Sequence, residues 1–137
     1  MEAARILSKD YGLECEIIDL RSLRPLDWET VLSSVARTGR LLALDTGFAT
    51  CSVSAEVIAR VSMELFDKLK APPCRLAMPD KSEPTSVALT SDFYVRVPDI
   101  VERVVAMFPA SGGQFPKPVY PETPVHDVPG PWFSGPF

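Results

Sequence analysis

An α/β fold, with a mostly parallel sheet sandwiched in three α/β/α layers, is what this sequence predicts, and three observations carry it. Residues 17 to 47 set a strand, a proline-marked turn, an amphipathic helix and a second strand in 31 positions, and a helical crossover between strands joins parallel neighbours. From about Ser52 to Leu69 the apolar residues recur at helical spacing over a long stretch, which makes a covering helix. After Pro72 and Pro73 a short apolar run and a second amphipathic segment follow, so strands and helices keep alternating.

The elements follow in order. Glu2 to Tyr11 is a short helix with Ala3, Ala4 and Leu7 on one side, stopped by Gly12, which can take the left-handed conformation of a helix end. Cys15 to Leu20 reads as the first strand. Pro25 keeps Arg24 extended, and Asp27 is placed to accept from a free amide of the next helix. In that helix Trp28, Val31, Leu32 and Val35 share one face, Arg37 suits the negative end of the dipole and Gly39 ends it. Leu41 to Leu44, apolar throughout, reads as a central strand covered on both faces. The long helix has Val57, Ile58, Val61, Leu65 and Leu69 as its inner stripe, with Glu56, Arg60, Glu64 and Lys68 marking the solvent side. Cys74 to Met78 is a third strand, and a polar loop, 79 to 91, leads to a helix opening at Pro98 that buries Ile100, Val101, Val104, Val105 and Phe108.

From Pro109 the composition changes: the last 29 residues hold eight of the fourteen prolines and four of the seven glycines, so neither a helix nor a central strand persists there. The chain thus divides into a domain, 1–108, and an extended tail, 109–137. Pro118, Pro121 and Pro124 fall on one edge of a polyproline helix. Two readings stand for this tail: a ligand for an aromatic groove on a partner, or a strap over its own domain. Phe115, Tyr120, Val125, Trp132, Phe133 and Phe137 make it too apolar for a purely solvated linker, and Tyr120, Trp132, Phe133 and Phe137 are its candidate contacts. His126, the single histidine, has no second ligand or nucleophile near it in sequence and reads as a surface residue.

Composition narrows the function. A net charge of −4 with no basic cluster argues against a nucleic-acid surface. No apolar run approaches the roughly 20 residues that span a bilayer, and the N-terminus lacks the apolar core of a secretory signal. Cys15, Cys51 and Cys74 have no Cys-x-x-Cys or histidine-paired spacing, which fits a reducing compartment and gives no zinc site.

Ile18, Asp19, Leu20, Arg21, Pro25, Leu26, Asp27, Thr38, Gly39, Arg40, Asp45 and Gly47 together form a pattern that resembles the C-terminal domain of transketolase-like enzymes. The resemblance is greatest to the beta subunit of thiamine diphosphate-dependent 2-oxoacid dehydrogenases of the pyruvate and branched-chain type. Ala71-Pro72-Pro73, Pro79-Asp80 and Glu83-Pro84-Thr85-Ser86 extend it, so that it covers about Glu2 to Phe108; the tail lies outside it. The resemblance implies a parent enzyme that decarboxylates a 2-oxo acid oxidatively and passes the acyl group to lipoamide, using thiamine diphosphate and magnesium. It implies no catalytic, cofactor-binding or metal-binding residue in this chain: the Gly-Asp-Gly and paired-asparagine motif for the diphosphate is absent, as is the domain with the activating glutamate. What it implies instead is a part in subunit association, with other subunits of the dehydrogenase, its acyltransferase core and a second copy of the chain as partners, in a bacterial cytoplasm or an organellar matrix.

In that family two strands precede the first helix, and one of them lies between those expected at Cys15–Leu20 and Leu41–Asp45. Neither is present here, so the expectation is an N-terminally shortened domain that self-associates or is marginally folded.

Loops at the carboxyl edge of a parallel sheet are where such folds bind ligands. Thr46 to Ser54 is such a loop and enters a helix N-terminus that favours an anion. Thr46, Gly47, Cys51 and Ser52 are therefore candidates for an anion or partner contact, with Cys51 a thiol the helix dipole would acidify. Two other classes compete. A non-enzymatic interaction module would present the proline-rich tail. A dimeric aspartic protease would use Asp45-Thr46-Gly47, sharing a proton between two aspartates; against it stand the helical period of residues 52 to 69 and the large Phe48 after the glycine.

Overall fold

The computed structural model describes residues 1–90 and 93–108; the tail and the expectations placed on Tyr120, Trp132, Phe133 and Phe137 lie outside the described residues. Four helices and two strands alternate along it: α1 (Glu2–Tyr11), α2 (Trp28–Thr38), β1 (Leu42–Phe48), α3 (Val53–Leu65), β2 (Cys74–Met78) and α4 (Val97–Ala106). Short 3₁₀ turns at Phe66–Lys68 and Val87–Leu89 extend α3 and precede α4.

Local chemistry sets the helix limits. Asp27 caps α2, its carboxylate accepting from Thr30 N at 3.0 Å and Thr30 Oγ1 at 2.7 Å. The Thr30 amide foremost, then its hydroxyl, hold the Asp27 carboxyl below the usual range. At the far end Gly39 has φ 73° and donates to Val35 O, the left-handed stop expected of it. At the end of α1, Gly12 N bonds Ser8 O and Leu13 N bonds Leu7 O. This is the double closure of a Schellman motif, and Leu13 packs back on the α1–α4 contact as such motifs require.

β1 and β2 pair in parallel, with Leu42 opposite Cys74, Ala43 opposite Arg75 and Leu44 opposite Leu76; the register then slips before Phe48 meets Met78. Side chains alternate along a strand, so the sheet has two distinct faces. On one, Asp45 and Arg75 reach the start of α3, and α2 and α3 lie over it around Val31, Val35, Val57, Val61 and Leu65. The other carries Leu44, Thr46 and Phe48 with Leu76 and Met78. There α4 stands across an open groove from β2, and α1 packs on α4 through a separate core of Ala3, Leu7 and Val101. Helix, sheet and helix are thus layered as expected, with a parallel sheet.

Two expectations need correction. Residues 15–20 are not a strand: they lie outside all regular structure, and none of their backbone groups has a backbone hydrogen bond among the described residues. The segment is instead held by side chains, Glu16 accepting from Ser34 Oγ and pairing with Arg37, and Ile18 lying against the α2–α3 core. A strand needs a neighbour, and among the described residues β1 pairs only with β2. For the same reason β1 is not covered on both faces: Leu44 is 54% and Phe48 46% exposed. The apolar run records a burial that the described residues do not supply.

Candidate functional site

The end of β1 and the turn that follows it bring the predicted site residues together and close them with the protein's own groups; Thr46 and Gly47, expected in a loop, lie within β1, where its register with β2 slips. Asp45 Oδ1 accepts from Gly47 N at 2.9 Å, the one-residue-skipping bond that aspartate makes in an Asx turn. A Cβ at position 47 would sit 3.2 Å from that same oxygen, close enough that the carboxylate would have to shift by a few tenths of an ångström. Asp45 Oδ2 accepts from Ser54 N at 3.2 Å. Ser52 is the N-cap of α3, its Oγ accepting from Ala55 N and sharing a 2.6 Å bond with Ser54 Oγ. The first amides of α3 are therefore engaged by Asp45 and Ser52. Thr46 and Cys51 are exposed, and Cys51 adopts φ 57° just before the cap.

Electrostatics match this geometry. The Gly47 amide lowers the Asp45 carboxyl below its ordinary range; desolvation partly opposes it, and the Ser54 amide and Arg75 add to the lowering. Asp80, from the loop after β2, accepts from Thr50 Oγ1 at 2.6 Å and Thr50 N at 3.0 Å. Thr50 and the charge of Arg75 hold its carboxyl low as well. Arg75 on β2 donates to Ala49 O at 2.5 Å and to Ser52 Oγ at 3.4 Å. The two βα turns are thereby tied to each other. Arg75 and Asp80 were not among the predicted site residues. The Asx turn was legible in Asp45-Thr46-Gly47, but pairs about 30 residues apart in sequence leave no local signal.

Asp45 in this position does not resemble a protease aspartate. Both its oxygens accept from backbone amides of its own turn and helix, and the strand is followed by α3 in a parallel βα unit where the protease fold is almost wholly β.

Because the folded Asp45 carboxyl is depressed, its contribution to stability is present above the unfolded value, near pH ~3.9, and is lost as pH falls through the lower folded value. Asp45→Ala is expected to cost about 1 kcal/mol at neutral pH, a modest figure because solvent reaches the carboxylate. In urea unfolding, the gap between Asp45→Ala and the parent chain should close as the pH drops below ~4; a gap that persists at pH 2 would refute the assignment.

Fold and turn together define an α/β domain with a parallel sheet whose ligand-type turn is satisfied from within. The chain belongs to the transketolase C-terminal domain family, whose model matches residues 1–100. It is 39% identical over 105 residues to the mitochondrial pyruvate dehydrogenase E1 component subunit beta of Saccharomyces cerevisiae, covering 76% of this chain and 29% of the yeast protein. To the same subunit of Homo sapiens it is 39% identical over 103 residues, 74% of this chain and 28% of the human protein. To the beta subunit of acetoin:2,6-dichlorophenolindophenol oxidoreductase from Cupriavidus necator it is 41% identical over 95 residues, 69% of this chain and 28% of that protein. The chain spans less than a third of the length of these curated relatives. Among the described residues no helix is long and apolar enough to cross a membrane.

Proposed function

We propose that this chain is an association domain of the beta-subunit type of a thiamine diphosphate-dependent 2-oxoacid dehydrogenase, contributing contact surface and no catalytic group. The observation that carries this is the unfinished side of the sheet. Beyond β2, β1 has no strand partner among the described residues, and Leu44 and Phe48 stand out beside it. Ile17, Leu20 and Leu23 on the unpaired segment are likewise exposed. Large apolar side chains clustered at a free strand edge mark an interaction surface. A further strand, from the rest of such a subunit or from another chain, would pair with β1 and with residues 15–20. The exposed Thr46 and Cys51 at the carboxyl edge of β1 would lie within the same contact.

The parent reaction is oxidative decarboxylation of a 2-oxo acid, in a bacterial cytoplasm or an organellar matrix, with the other dehydrogenase subunits and the acyltransferase core as partners. Thiamine diphosphate and magnesium supply the decarboxylation chemistry when bound in that enzyme. This chain's residues do not fit a site for them: the diphosphate motif is absent from the sequence, and the turn amides that would favour an anion already serve Asp45 and Ser52. Calorimetric titration with the cofactor and magnesium is expected to give no saturable heat, whereas light scattering should find the chain self-associated. Micromolar cofactor binding, or a monomer at all concentrations, would overturn the proposal.

A further inference from the structure

The outer face of α3 carries large apolar side chains where a covering helix ordinarily turns polar ones to solvent. Its inner face is already satisfied, with Val57, Val61 and Leu65 buried in the α2–α3 core. Met63 and Phe66 are nevertheless 77% and 80% exposed, more than any other described large apolar side chain except Met1. Phe66 keeps helical backbone angles at the end of α3, and Ala59, also exposed, stands one turn before Met63. The three therefore follow one another along a single ridge.

The two ends of this ridge carry opposite charge. Glu56 is exposed one turn before Ala59, and Lys68 and Lys70 are exposed just past Phe66. None of the three has an ion-pair partner among the described residues. Read from Glu56 to Lys70, the ridge is acid, small, methionine, large and base, with Met63 midway. Such a line is its own complement when reversed, which is the condition for an isologous contact. In an antiparallel pair about a two-fold axis at Met63, Ala59 of each copy leaves room for Phe66 of the other, as interlocking ridges need. Glu56 then comes to the lysine end of the second helix. A parallel pair would set Glu56 against Glu56, and like charges side by side repel.

We propose that α3 makes a second contact between copies of this chain, an antiparallel α3–α3 pair centred on Met63, which joins copies paired at the β1 edge into assemblies larger than two. The ridge lies on the opposite side of the sheet from Leu44 and Phe48, so both contacts form at once. The 13 residues of α3 run about 20 Å, and one helix pair of that length buries less than the ~1,200 Å² of a stable interface. The contact therefore draws on copies already paired at the β1 edge, which present two ridges together, and in that respect alone it rests on the association reading.

The test is light scattering of the full chain at increasing concentration, which should reach a mass above that of two chains. Met63→Lys with Phe66→Lys should bring the mass down to two chains with unchanged circular dichroism, since both side chains are exposed. Should the lysines disturb α3, Met63→Gln with Phe66→Gln removes the apolar contact without adding charge. Glu56→Lys alone should have the same effect, and adding Lys68→Glu and Lys70→Glu to it should restore the larger assembly. A chain that stops at two copies at every concentration would overturn the α3 pair. So would a mass that the α3 variants leave unchanged, or a Glu56→Lys loss that the reversed lysines do not rescue. The β1 edge is read separately: if replacing Leu44 and Phe48 leaves the mass unchanged while the α3 variants still lower it, the edge contact fails and the α3 pair stands.

Discussion

Leu7→Ala is expected to destabilise the protein by about 2–5 kcal/mol, the range for emptying a buried leucine site. Leu7 is 1% exposed and joins α1 to α4 with Ala3 and Val101. Among the described residues no strand pairs beside α1 and its main packing partner is α4, and collapse around the cavity is limited by Val101, itself fully buried. A loss of that size should lower the melting temperature by more than ~10 °C, at ~4–8 °C per kcal/mol for a domain this small. The control is Ile17→Ala, at a side chain 52% exposed, which should change stability by no more than ~0.5 kcal/mol. Urea unfolding followed by circular dichroism measures both. If the two substitutions cost the same, the separate α1–α4 core does not carry the load assigned to it.

The second large effect concerns association. Replacing Leu44 and Phe48 together by lysine should convert a self-associated chain into a monomer by light scattering, because charged side chains beside a free strand edge oppose its pairing. Both side chains are already half-exposed, so the double variant should unfold at nearly the same urea concentration once the contribution of association is removed. Assembly that persists in the double variant would mean that the contact lies elsewhere. The expected contrast is sharp: one substitution in the small core changes stability and not assembly, and two on the open face change assembly and not the fold.

How much of this was legible in the sequence depends on how local the determining interaction is. Asp27, Gly39 and Ser52 act within one turn of chain, and the limits of α2 and the start of α3 follow from them. The inner stripe of α3 was readable because its burial repeats with the helix, as Val57, Val61 and Leu65 confirm. Arg60, placed on the solvent side, does pair with Glu64, and it also covers the Trp28 ring at 4.3 Å, a long-range contact with no sequence signature. Cys15–Leu20 had strand composition, but a strand exists only with a partner, and composition does not show whether one is there. Leu41 to Leu44 misled in the same way: an apolar run states that a surface is suited to burial, not what buries it. At the candidate site the Asx turn was visible, while its clamp through Arg75 and Asp80 depends on the parallel register of β1 and β2.

Gly12 and Gly39 end their helices alike, with φ 64° and 73°, yet they place different demands on the chain. Around Gly12 nothing lies within 4 Å of the position a Cβ would take. Asparagine, which tolerates the left-handed region, can replace it there. At Gly39 a Cβ would come within 2.8 Å of Lys70 Cγ and 3.1 Å of the Lys68 backbone oxygen, while Gly39 O accepts from Lys70 N at 2.8 Å. The Lys70 side chain could swing aside, but the Lys68 carbonyl belongs to the backbone that the Lys70 N to Gly39 O bond holds close. Of two helix stops that look interchangeable, one is therefore open to exchange over evolutionary time, and the other is fixed by the close approach of the two connections that lead into the sheet.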